Sequence, residues 1–196
     1  MTGTKLSLCV ISIGALLAAA IVSPVSVEGV AETERFPCMT EDELSERTRE
    51  PDAESEGTEV GDVARDFTLA NLDGEAVSLS QLQGCVVVIE FWASWCPPCW
   101  DSAVHLEKLR REHEERGLVV IGISLDRTRD AIDRFLEATG EPGITVLWGS
   151  LAEARQVAET YGVSAIPHAL VIDRENVIRF VGHPVRITDE LLAPFW

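Results

Sequence analysis

Residues 86–99 read Val86-Val87-Val88-Ile89-Glu90-Phe91-Trp92-Ala93-Ser94-Trp95-Cys96-Pro97-Pro98-Cys99. The first half is an unalternating valine-rich run, which is how a central strand buried on both faces of a sheet reads. Pro97 and Pro98 follow where a helix would start, and proline is tolerated there because the first N–H groups have no carbonyl to meet. The stretch therefore predicts a strand, a turn and a helix, with a Cys-x-x-Cys pair on the turn. Cys96 falls at the helix amino terminus, where free N–H groups and the helix dipole favour a thiolate. Cys99, three residues on, is within reach of a disulfide. The expectation is an exposed, attacking Cys96 and a buried, resolving Cys99.

Working outward, Asn71-Leu72-Asp73-Gly74 is turn chemistry, and Val77 and Leu79 alternate with polar neighbours, giving an early hairpin. The helix after the cysteine pair runs to about residue 116, with Val104, Leu106 and Leu109 supplying its apolar surface and Gly117 as its stop. A buried strand is expected over 118–124, a helix over 130–139 and a short strand over 144–148. Ser150 and Glu153 form a capping box for a further helix. Strands over 169–172 and 177–181 flank a hairpin-length loop, and a short helix from about Asp189 closes the chain. Alternation of this kind predicts an α/β fold: a central mixed sheet with helices on both faces and an N-terminal hairpin extension.

Ahead of this domain, expected over 61–196, stand two segments of different character. Residues 6–22 carry no charge after Lys5, so 1–27 reads as a signal peptide or membrane anchor. Residues 28–60 read as an acidic flexible linker, since 28–66 hold 14 acids against 4 bases. Both features predict work outside the cytoplasm, in a periplasm or on the exterior of a cell envelope. Membrane contact is expected only through 6–22, if that stretch is not cleaved. The chain as a whole carries 33 acids against 16 bases, a net charge of −17 that repels nucleic-acid backbones, so no nucleic-acid partner is expected. An acidic surface with two lysines suits a salty environment and equally a bias of genome composition.

A bare Cys-x-x-Cys is a weak signal. A zinc site would need a second pair, yet Cys9, Cys38 and Cys85 are isolated, and Trp100 stands where a c-type haem site needs histidine. No metal or cofactor is expected. The placement between strand and helix is what makes the pair a redox candidate. Glu90 interrupts the apolar strand six residues before Cys96. Desolvation there should raise its pKa and fit it to take the proton of Cys99. The alternative is a strand-end glutamate reaching solvent.

The segment from Phe91 to Cys99 resembles the active-site stretch of the thioredoxin superfamily. The likeness is nearest to the exported, often membrane-tethered TlpA/ResA kind, whose signature overlaps with the AhpC/TSA type. The likeness continues through Gly74, Val77, Ser78, Leu79 and Gly84, then from Gly117 to Asp126, and from Tyr161-Gly162-Val163 to Asp173, and covers about 60–182. It implies a cis-proline at Ile166-Pro167, where the residues alone allow an ordinary trans strand start. It implies that Ile166 meets the substrate chain and that Trp95, Pro97, Pro98 and His168 border it. It also sets Glu90 where thioredoxins keep a buried acid.

Three positions depart from the pattern: Gly122 where a lysine partner for that acid is usual, Ser102 where members that reduce apocytochrome c often carry glutamate, and Cys85 in place of lysine. A protonated His168 beside the disulfide would lower a thiol pKa; the alternative is a packing histidine. Cys38 is open between a free thiol, a cross-link of two chains and a bond to Cys85.

The expected function is thiol–disulfide exchange on exported protein or small-molecule disulfides, supplied by a membrane or extracytoplasmic electron donor. Two readings compete. One is a peroxiredoxin-like peroxide reductase, although the Pro-x-x-x-Thr/Ser-x-x-Cys setting of a peroxidatic cysteine is missing. The other is a non-catalytic binding domain with a static disulfide.

Overall fold

The computed structural model describes residue 38, residues 56–140 and residues 143–196, and these belong to one compact unit. The apolar stretch 6–22 and most of the expected linker lie outside the described residues. Among those described, no helix is long and apolar enough to cross a membrane.

Among the described residues, nine strands and four α-helices follow in order. Strands β1 (Glu56–Gly57), β2 (Val63–Ala64), β3 (Thr68–Ala70) and β4 (Ala76–Ser78) precede the central β5 (Val86–Trp92). Helix α1 (Pro97–His113), β6 (Leu118–Ser124), α2 (Arg129–Thr139), β7 (Thr145–Leu147) and α3 (Leu151–Thr160) come next. Strands β8 (His168–Ile172) and β9 (Ile178–Gly182) and the short α4 (Asp189–Leu192) complete the chain.

The main sheet has the order β7-β6-β5-β8-β9. Strands β5, β6 and β7 run parallel, whereas β8 and β9 are antiparallel, as their short connection requires. Every residue of β5 and β6 is buried, which accounts for the absence of polar alternation in both runs. This is the mixed sheet of a thioredoxin-like fold.

Side chains opposite one another on adjacent strands share a face, so register assigns each strand residue to a layer. Val87, Ile89 and Phe91 pack with Val157, Ala158 and Tyr161 from the region of α3 and with Leu69, Leu79 and Leu82 of the N-terminal extension. On the other face, Val86 and Val88 meet Leu106 and Leu109 of α1 and Leu192 of α4. Trp92 continues that face toward Phe135 of α2, with ring centroids 4.7 Å apart.

The expected early hairpin is β3 and β4, paired antiparallel, and the turn between them is held by the Asn71 side chain, which accepts from Asp73 and Glu75 N–H. It docks through Trp148 N–H to the Ala70 carbonyl at 2.9 Å. The parallel bridge of β1 with β2 was not foreseen, and it starts inside the stretch read as linker.

Two local expectations need correction. Val104 is 72% exposed, not part of the buried face of α1. At Ser150 the hydroxyl accepts from Glu153 N–H, and it donates to the Glu153 carboxylate at 2.6 Å; this is a side-chain pair in place of a reciprocal capping box.

Candidate active site

Strand β5 ends at Trp92, Ala93 to Trp95 turn the chain, and Cys96 becomes the cap residue of α1 in extended conformation, with Pro97 and Pro98 in the first helical turn. Cys96 N–H bonds the Ala93 carbonyl and Cys99 N–H bonds the Cys96 carbonyl. The two cysteines form a disulfide with Cα atoms 5.3 Å apart. Cys99 is fully buried on the inner face of α1. Cys96, expected to be exposed, is 5% exposed in this disulfide form, because the bond ties its sulfur inward against the same apolar cluster as Ile166. Trp95, Pro97 and Pro98 around it are exposed, Trp95 at 64%.

The turn is fastened by a residue to which the sequence alone assigned no role. Asp126, just past β6 and buried, accepts from Ser94 N–H at 2.8 Å, from the Ser94 hydroxyl at 2.7 Å and from the Ser124 hydroxyl at 2.9 Å. Three donors satisfy a carboxylate that would otherwise be costly to bury. Trp100, one residue after the pair, donates its indole N–H to the Ser94 carbonyl at 2.9 Å. A Ser-x-Asp ending a buried strand was the available signal for Asp126, but its partner is 32 residues away in the chain.

Glu90 is buried, so the solvent-reaching alternative does not hold. Burial pushes its carboxyl up to about 7, against a smaller downward pull from the Ser102 hydroxyl. That hydroxyl contacts Glu90 Oε1 and lies 3.0 Å from the Cys99 carbonyl oxygen. Ser102, read from sequence as the loss of a glutamate, is therefore the polar partner of Glu90; the i, i+3 spacing from Cys99 was the signal that would have found it. Gly122 is the register partner of Glu90 on β6. A Cβ at Gly122 would meet the Trp92 indole nitrogen at 2.8 Å, so Trp92 fills the space that a lysine stem would need.

The Ile166–Pro167 peptide bond is cis, and Ile166 packs against the cluster holding both cysteines. His168 is paired with Phe91, on the sheet face opposite to Glu90. Desolvation lowers its pKa, which favours the neutral imidazole. Its Nε2 is buried without a hydrogen-bond partner among the described residues.

Cys85 is a core residue as expected, and its sulfur is bonded to Cys38, with Cα atoms 4.5 Å apart. His105 bonds the Ile187 carbonyl, and His113 bonds Asp189 at the far end of α1. Glu112, His113 and Asp189 are the one group of possible metal donors among the described residues; their donor atoms lie within 4.8 Å of one another.

A helix-capping cysteine bonded to a buried one a turn along can pass a disulfide to and from another pair of thiols. Comparison with known proteins points the same way. The sequence pattern of the AhpC/TSA family matches residues 60–181. "Thiol-disulfide oxidoreductase ResA" of Halalkalibacterium halodurans is 29% identical over 136 residues, 69% of this chain and 74% of that one. A Chlorobium tepidum structure assigned as a thiol:disulfide interchange protein DsbE is 30% identical with a TM-score of 0.60, covering 65% of this chain and 86% of that one. The thioredoxin domain of a thiol-disulfide oxidoreductase from Bacteroides vulgatus, at 24% identity, shares the fold with a TM-score of 0.61 over 69% of this chain and 94% of its own.

Proposed function

The chain belongs to the AhpC/TSA family, and from that premise we propose an extracytoplasmic reductant of disulfides in exported proteins. Its activity is that of a thiol–disulfide oxidoreductase. The observation that carries the reading is the placement of Cys96 as cap of α1 with Cys99 bonded to it and buried one turn along.

In the reduced protein the Cys96 thiolate attacks a substrate disulfide, forming a mixed disulfide and releasing one substrate thiolate. Glu90 takes the proton of Cys99, and the Cys99 thiolate attacks the Cys96 sulfur, expelling the second substrate thiolate. The substrate gains two electrons, and Cys96 and Cys99 are left as a disulfide. A membrane or extracytoplasmic donor then returns two electrons. Trp95, Pro97, Pro98 and Ile166 supply the surface on which the substrate chain lies. Pro167 positions it, and His168 borders it through its main chain. A Glu90 carboxyl near 7 supports the role of base, because such a group is ionised often enough to accept a proton and basic enough to hold it.

The test is a Cys99→Ser variant of the full chain, which keeps the attacking sulfur and removes the resolving one. It should accumulate mixed disulfides through Cys96, while the parent protein reduces insulin. No trapped partner together with no insulin reduction would leave a static disulfide. A Cys96–Cys99 potential well below about −200 mV fits a reductant, and one near about −120 mV an oxidant.

A further inference from the structure

Ser102 sits between the proposed base and the helix that carries the resolving sulfur. Its oxygen contacts Glu90 Oε1 and lies 3.0 Å from the Cys99 carbonyl oxygen, and both contacts are buried. Each asks for a hydroxyl proton, yet serine has one. Both acceptors can be served in turn, not at once. When Glu90 is ionised, the proton points to the carboxylate. When Glu90 holds a proton, the carboxylic O–H donates to the Ser102 oxygen, and the serine proton turns to the Cys99 carbonyl.

We propose that Ser102 is a positioning residue whose single proton alternates between Glu90 and the Cys99 carbonyl, giving Glu90 a partner in both of its protonation states. This rests on the reading of Glu90 as the base for Cys99.

Among the described residues, the surroundings leave the task to Ser102 alone. The register partners of Glu90 are Gly122 on β6 and Ala169 on β8, neither of which titrates. Helix α1 turns Cys99, Ser102 and Leu106 to its buried side, and of these only Cys99, once reduced, can ionise. Among the described residues no charged side chain contributes to the shift of Glu90, whose causes are burial and the Ser102 hydroxyl. A hydrogen bond to a charged group is worth more than one to a neutral group, so the hydroxyl favours the ionised carboxylate. Without it, burial would act unopposed, and Glu90 would stay protonated over the range in which it has to accept a proton. As Cys99 ionises, its proton passes to Glu90 and the serine proton swings to the carbonyl of the same residue. Once the disulfide has formed, Glu90 releases the proton to water and the hydroxyl returns.

The experiment uses the full chain and three variants: Ser102→Ala, Ser102→Thr and Glu90→Gln. In the oxidised protein, where neither active-site cysteine titrates, the carboxylic C=O stretch of Glu90 is followed by infrared spectroscopy against pH. The band missing from Glu90→Gln identifies it. Ser102→Ala should shift its titration upward by about 1 pH unit, and Ser102→Thr, which keeps the hydroxyl, should return it close to the parent value. In the reduced protein, resolution of a preformed mixed disulfide at pH 6 should slow up to about tenfold in Ser102→Ala, with its pH profile displaced by the same amount. A titration of Glu90 unchanged in Ser102→Ala overturns the proposal. Unchanged resolution in Glu90→Gln instead overturns the role of Glu90 as base, and the infrared titration still decides whether Ser102 governs that carboxyl.

Discussion

Glu90 carries a consequence for folding as well as for proton transfer. An acid whose pKa is raised on burial, here from 4.5 to about 7, binds a proton in the folded chain that the unfolded chain has released. Stability therefore falls as pH rises through that window and levels off above it. The full effect is about 3 kcal/mol as an upper value. Glu90→Gln should abolish this slope: urea midpoints of the oxidised protein at pH 5 and pH 8 should diverge for the parent and converge for the variant. Equal slopes would mean that Glu90 ionises at an ordinary value. The burial of Glu90 was legible in the sequence, because a lone acid in a run of valine and isoleucine has few exits. Its partner was legible only in part: the spacing of Ser102 from Cys99 puts both on one helix face, but nothing in residues 86–92 indicates which side chain of a later helix lies over position 90.

Helix α1 shows how one residue sets the phase of an element. Its buried positions are Cys99, Ser102, Leu106 and Leu109, spaced at three and four residues as an amphipathic stripe requires. At about 100° per residue, Val104 lies roughly 160° from Leu106 by the shorter arc, and it points to solvent. Being apolar, Val104 counts in the sequence toward the apolar surface of the helix. The structure follows Cys99, whose burial fixes the rotation of the whole helix. Leu106→Ala should cost about 2–5 kcal/mol and Val104→Ser within about 0.5 kcal/mol. Both are read from chemical denaturation midpoints, and similar costs for the two would contradict this helix phase. The same phase brings Ser102 inward, so the site acquires its hydroxyl as a result of how the cysteine pair docks.

At the scale of the molecule, the Cys38–Cys85 bond joins residues 47 apart to the start of the central strand, at the end opposite to Cys96. Closing a loop of that length restricts the unfolded chain by about 4 kcal/mol in the chain-entropy account. Cys38→Ala should lower the urea midpoint under non-reducing conditions and leave insulin reduction intact. An unchanged midpoint would show that the bond contributes no net stability. By itself the sequence determined the strand–turn–helix at Cys96, the order of strands and helices along the chain and a buried acid at position 90. Those features are local, written in runs of apolar residues, proline placement and turn chemistry. Tertiary structure decided the contacts that complete the site: Ser102 on Glu90, Asp126 on Ser94, and Trp92 over Gly122. It also decided which sulfur Cys38 meets and which sheet face His168 takes. Each depends on the register between strands or the rotation of a helix against the sheet. A single-residue slip in either would keep every local pattern and lose every one of these contacts.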